Sequence, residues 1–221
     1  MNSNKTCLGI FIFSFIVCSG FISGEVPLFS QDKRAEEIIN QSRDFYYTVK
    51  DMSMDFTYEV KGITARQALQ KGTLKLKRTQ YQLRMREQET YCDGRKVWVF
   101  IPATNEYMVF AQGEWTYGNI MQLFYSMYYS PSEKSYMGEE IDLNGSRLHK
   151  IRFRMLDPDH NYSTAYAWYF DQNKLLSKVT YVDRQRRQRT FSFYNLKLNS
   201  GLGDNDFIFR PQNYPGIELR R

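Results

Sequence analysis

The sequence predicts a mainly β, α+β fold: one strongly curved antiparallel sheet of ten or eleven strands, bent into a half-barrel whose apolar hollow is covered by helices. Three observations carry this. Short runs with a period of two recur from Met52 to Phe209, separated by turn residues at short intervals. Only two segments show the three- and four-residue spacing of an amphipathic helix. A single sheet of so many strands must curl, and its concave face is then too wide for its own side chains to fill.

Residues 1–24 are expected to be a cleaved secretory signal. Lys5 precedes the apolar run Leu8–Phe21, and Ser19-Gly20 and Ser23-Gly24 offer small residues to a peptidase. The run is too short and wrongly flanked for a stable anchor, and no later segment is long enough to span a bilayer. This leaves residues 25–221 as a single exported, soluble domain. Cys7 and Cys18 lie in the signal, and neither follows the small residue that lipid attachment needs, so Cys92 alone remains and no internal disulfide is expected. The full chain carries a net charge of +6, mild and mixed along its length, which identifies no partner. Aromatics say more: 17 Tyr and 16 Phe suit half-wet strands and the rim of an apolar pocket.

The spacing predicts a helix over Ser30–Asp51, with Ala35, Ile38, Ile39, Ser42, Phe45, Tyr46 and Val49 on one stripe and Ser30 or Asp32 as its cap. A strand follows, with Met52, Met54, Phe56, Tyr58 and Val60 on one face. Residues 62–70 connect it to a series of hairpins over Lys71–Phe110. There Leu74 and Leu76 alternate with lysines, Tyr81, Leu83 and Met85 alternate with polar residues, and Asp93-Gly94 and Asn105-Glu106 mark turns. Val97–Ile101 is apolar on both faces. Asn119 is placed to cap a short helix carrying Ile120, Leu123, Phe124, Met127 and Tyr128, which Pro131 stops. Strands then resume around Ile151–Met155, Ala165–Phe170, Leu176–Val182 and Phe191–Phe193, with Phe207 and Phe209 leading to Pro211.

No catalytic constellation stands out, so an enzyme is not expected, and neither a cofactor nor a metal is implied. His149 and His160 have no ligand spacing to another His, Cys or carboxylate pair and read as surface or turn residues. Cys92 has no base near it in sequence and reads as a small apolar residue. Glu139 and Glu140 point to opposite faces of a strand, and Asp157-Pro158-Asp159 is turn chemistry. Arg184, Arg186, Arg187 and Arg189 read as a solvated hairpin tip, with docking to an acidic partner or lipid surface as the sharper reading; an export signal argues against nucleic acid. Arg78 continues the leucine face of its strand. Either the alternation slips there and leaves the guanidinium in solvent, or it faces inward. Facing inward it would need carbonyl partners, acting as a latch on the cover.

Several local patterns, in this order, resemble the LolA family of periplasmic lipoprotein carriers, over most of the chain beyond residue 24. Gly72-Thr73-Leu74-x-Leu76-Lys77-Arg78 is similar to the family's G-x-L-x-x-K-R stretch. Asp93-Gly94-x-x-x-Trp98, with Pro102 soon after, resembles its S-D-G-x-x-x-W hairpin. Asp206-Phe207-x-Phe209-x-Pro211 followed by Pro215-Gly216-Ile217 resembles its F-x-F-x-P-x-G-V ending. The resemblance implies an unclosed barrel of about eleven strands with helices across the cavity, and it places the family's lid-holding arginine on Arg78. The family's frequent proline after that arginine is Thr79 here, and an inward phenylalanine of some members falls near Gln82, beside Tyr81.

The resemblance further implies a monomeric carrier of acylated lipoproteins, served by an inner-membrane lipoprotein-releasing transporter and, as a further candidate partner, an outer-membrane acceptor. The expected cavity lining is Met54, Phe56, Tyr58, Leu74, Leu76, Tyr81 and Leu83, with Ile38 and Ile39 on the lid. A LolB-like acceptor and an RseB-like lipid- or lipoprotein-sensing regulator are the alternatives on the same fold. The first needs a lipidated cysteine and the second usually a further domain.

Overall fold

The computed structural model describes residues 28–61, 69–114 and 120–220. The expected signal (1–24), residues 62–68 of the expected connector and the expected cap Asn119 lie outside the described residues.

Helix α1 spans Leu28–Thr48 and buries Ala35, Ile38, Ile39 and Ser42 along one stripe, while Lys33, Glu36, Glu37, Asn40 and Asp44 face water. It ends before the expected Asp51. The Thr48 hydroxyl donates back to the Phe45 carbonyl at 2.7 Å, and the Lys50 amide is taken by the Asn199 side chain at 2.8 Å, which turns the chain into the sheet. Helix α2 spans Ile120–Tyr129 and buries Leu123, Phe124 and Met127.

The strands are β1 (Met52–Lys61), β2 (Leu69–Lys77), β3 (Gln80–Met85), β4 (Glu89–Cys92), β5 (Lys96–Ile101), β6 (Glu106–Ala111), β7 (Ser132–Ile141), β8 (Arg147–Met155), β9 (Tyr162–Phe170), β10 (Leu176–Asp183), β11 (Gln188–Leu198) and β12 (Glu218–Leu219). They form one sheet in the order β12-β6-β5-β4-β3-β2-β1-β11-β10-β9-β8-β7, antiparallel except where β12 lies parallel to β6. Two meanders, β1–β6 and β7–β11, are thus joined by the pairing of β1 with β11, and β7 and β12 are the free edges. The barrel is unclosed.

A bulge helps bend the central seam. Ser53 pairs with Lys197 and Asp55 with Tyr194, so Asn195 and Leu196 both stand opposite Met54. Asn195 takes a positive φ of 52° there, and its side-chain amide donates to the Asp55 carboxylate at 2.8 Å.

The chain beyond β11 covers the convex side. Asp51 accepts hydrogen bonds from the Ser200 amide, the Ser200 hydroxyl and the Gly201 amide at 2.8–3.1 Å, anchoring the departure. Asp204–Phe207 forms a 3₁₀ turn. Phe209 then packs among Tyr91, Phe100, Tyr107 and Tyr214, with ring centroids 5.2–5.5 Å apart. That outer cluster explains why Val97–Ile101 is apolar on both faces: Val97 and Val99 face inward, and Phe100 faces the C-terminal segment.

Candidate functional site: the concave face and its helical cover

The alternation read from the sequence sets one side chain in two of each strand on the hollow side. Met52, Met54 and Phe56 of β1, Leu74 of β2, Leu83 of β3, Ile151 and Phe153 of β8, Tyr169 of β9, and Phe191 and Phe193 of β11 form one continuous buried cluster with the stripes of α1 and α2. The hollow expected to stay partly empty is filled from above in this form, because Ile38, Ile39, Leu123, Phe124 and Met127 project into it from the helices. Aromatic contacts tie cover to floor: the rings of Phe124 and Phe193 are 5.4 Å apart, and Phe193 in turn lies 6.4 Å from Phe56.

The remaining expected lining residues are less central. Tyr58 and Leu76 are half-buried at the margin of this cluster. Tyr58 stacks on Phe191 at 4.5 Å, and its hydroxyl accepts from Arg189. Tyr81 belongs to a second inner cluster with Cys92, Val97 and Val99. Cys92 is fully buried, and burial pushes its thiol up, as suits a packing residue.

Arg78 does not face inward. It occupies the β2–β3 turn, exposed, with a positive φ of 54°. The strand ends at Lys77, so the alternation that would have carried the guanidinium to the leucine face stops one residue short. A latch across the hollow cannot be built from Arg78 in this geometry. Gln82, near which the resemblance put an inward phenylalanine, points outward and donates to the Asp206 carbonyl at 2.9 Å.

What crosses between cover and sheet instead is an ion pair, Lys134 of β7 with Glu36 of α1 at 3.0 Å, and a set of hydroxyls where the two helices meet the floor. Ser42 of α1 and Tyr128 of α2 are hydrogen-bonded at 2.8 Å, and the Leu176 amide at the start of β10 donates to the Tyr46 hydroxyl at 3.4 Å. Tyr169 rises toward them from β9. Burial raises the pKa of Tyr46 to about 12 and those of Tyr128 and Tyr169 well above the ordinary phenol value. Sequence periodicity placed Ser42 and Tyr46 on the helical stripe, but nothing local revealed that their polar ends would meet Tyr128 and Tyr169.

His149 is also a correction, since it is 1% exposed rather than at the surface. Its ring meets the Tyr136 hydroxyl at 3.1 Å and Asp171 at 2.8 Å, with the Lys174 ammonium 3.1 Å away. Hydrogen bonds from Lys174 and His149 hold the Asp171 carboxyl down at about 2. The signal was present: His149 continues the inward phase of Ile151, Phe153 and Met155. His160 is half-buried in the turn region beside Tyr162, and burial lowers its pKa.

In the arginine-rich β10–β11 turn, the Asp183 carboxylate is shared by Arg187 at 2.9 Å and Arg189 at 2.8 Å, offsetting one of the four positive charges of the cluster. Two clefts of about 330 and 490 Å³ lie on the convex side and share Lys75, Gln82 and Arg84. Among the described residues no group of three or more His, Cys, Asp or Glu could hold a metal ion, and no helix is long and apolar enough to cross a membrane.

No protein-family model and no curated protein sequence matches the chain. Solved structures do. An uncharacterized conserved protein of Thermus thermophilus superposes with a TM-score of 0.59 at 10% identity, over 85% of this chain and 99% of that one. More distant likenesses include the lipoprotein LppX of Mycobacterium tuberculosis (TM-score 0.47, 14% identity, 78% of this chain and 98% of that one). A LolA superfamily protein of Nitrosomonas europaea is also similar (TM-score 0.41, 11% identity, 79% of this chain and 97% of that one). The unclosed, curved barrel is therefore a fold shared with known structures.

Proposed function

We propose that the protein is an exported carrier that binds acyl chains between the concave face of the sheet and the helices α1 and α2, taking lipidated proteins from the inner membrane toward the outer one. The observation that carries this reading is the nature of the cover. The apolar concave face of the sheet is closed not by strands of its own but by two helices, held through apolar side chains, the Ser42–Tyr128 hydroxyl pair and the Lys134–Glu36 ion pair, so the cover is a layer distinct from the sheet. The motif resemblance, from Gly72 to Ile217, points the same way.

The energetics suit a shuttle whose empty form is closed. Burial of acyl chains is worth up to roughly 0.8 kcal/mol per CH₂, so two or three chains in a permanently open trough would be held too tightly to release. When Ile38, Ile39, Phe124 and Met127 return to the sheet, they recover apolar burial that offsets the loss of the chains. Carriage thus becomes an exchange of one occupant of the hollow for another.

The test is incubation of the purified protein with membranes holding a radiolabelled lipoprotein. A carrier liberates a soluble, equimolar complex with its lipid unchanged. Absence of release rejects transport and leaves sensing, and a chemically altered lipid indicates an enzyme.

A further inference from the structure

We infer that the hydroxyls of Ser42, Tyr46, Tyr128 and Tyr169 form the polar end of the ligand site and donate to the carbonyl oxygen of a neutral ester rather than to the carboxylate of a free fatty acid. The inference rests on the acyl-binding reading above and adds the chemistry of the head. The four side chains come from α1, α2 and β9, at the junction where cover meets floor, inside an otherwise apolar cluster. Tyr169 is fully buried, and its hydroxyl has no partner in hydrogen-bonding geometry, although Tyr128 stands beside it. A buried hydroxyl left unpaired is costly, and a ligand oxygen placed there removes that cost.

The charge balance selects the ligand. Burial keeps all three phenols protonated through the physiological range, so each offers an O–H. No charged side chain is hydrogen-bonded to any of the four hydroxyls among the described residues. A carboxylate brought in would be stripped of water with no cation to meet it. An ester carbonyl accepts one or two hydrogen bonds and carries no charge. Ser42 and Tyr128, now bonded to each other across the cover, are free to serve it once the helices part.

The experiment compares methyl laurate, laurate and dodecane at pH 7.5 as competitors of a fluorescent naphthylamine probe, on the wild type, Tyr169→Phe and Ser42→Ala. The wild type is expected to prefer the ester over dodecane by about fivefold, the scale of one buried neutral hydrogen bond, and to prefer it over laurate, whose charge finds no cation. Tyr169→Phe should lose the preference over dodecane, keep its affinity for dodecane and still disfavour laurate, while its melting temperature rises because an unpaired hydroxyl is gone. Ser42→Ala supplies the same comparison if the first variant misfolds. A wild type without ester preference, or variants that retain the preference over dodecane, overturns the inference and leaves acyl binding standing. A wild type that binds neither the probe nor any competitor rejects acyl binding itself, and the inference with it.

Discussion

Phe56 and Gly72 occupy one place in the sheet. They face each other across β1 and β2, and a Cβ added to Gly72 would lie 2.3 Å from the Phe56 ring and 2.6 Å from the Arg84 carbonyl oxygen. The ring of Phe56, wholly buried at the centre of the hollow's floor, therefore rests where a side chain at 72 would be. Gly72→Ala is expected to destabilise the protein by about 1–3 kcal/mol, because ring or backbone must move, with a lower midpoint in chemical denaturation. An unchanged midpoint would show that the floor is looser than this contact implies.

Arg78 separates the residue's motif position from its geometry. With φ at 54° and the side chain in solvent, Arg78→Gly should stabilise the fold by about 1 kcal/mol through relief of the left-handed backbone. Arg78→Leu should leave uptake and transfer of lipoprotein as in the wild type. A variant that loads normally but fails to deliver would reinstate the latch.

Asp171 predicts an acid response. Its folded pKa of about 2 lies below the ordinary value of 3.8, so its contribution to stability is complete above roughly pH 4 and is lost as pH falls toward 2. Melting temperatures measured from pH 5 to pH 2 should fall less steeply in Asp171→Asn than in the wild type. Parallel curves would mean that Asp171 titrates alike in the folded and unfolded chain, so that its contacts with His149 and Lys174 add nothing to stability.

If α1 and α2 are a cover and the sheet a frame, they should open separately. Native-state hydrogen exchange should show α1 amides exchanging through an opening of lower free energy than those of β1 and β11, and a bound acyl ligand should slow the helices selectively. Exchange of α1 and β1 at one common free energy would make the helices an integral part of the core.

The hollow's floor was legible from sequence because burial on one face imposes a period of two, as in Met52, Met54 and Phe56, and because turn residues such as Gly94 and Asn105 do take positive φ. The same rule extended one step backward along β8 would have put His149 inside. What local pattern could not show were contacts made by distant segments. The outer ring cluster of Tyr91, Phe100 and Phe209 joins segments more than a hundred residues apart, and the Ser42–Tyr128 bond joins residues 86 apart on two helices. Arg78 failed for a related reason: periodicity says which face a strand residue takes, but not at which residue the strand stops.

The most direct measurement is photocrosslinking with a diacyl phospholipid carrying a diazirine on its acyl chain, followed by mapping of the adducts. Acyl carriage in the hollow predicts adducts on the inner face and its cover, at Phe56, Phe193, Tyr169 and the stripe around Ile38. Adducts confined to the convex clefts around Lys75, Arg84 and Tyr214, or none above background, would contradict it.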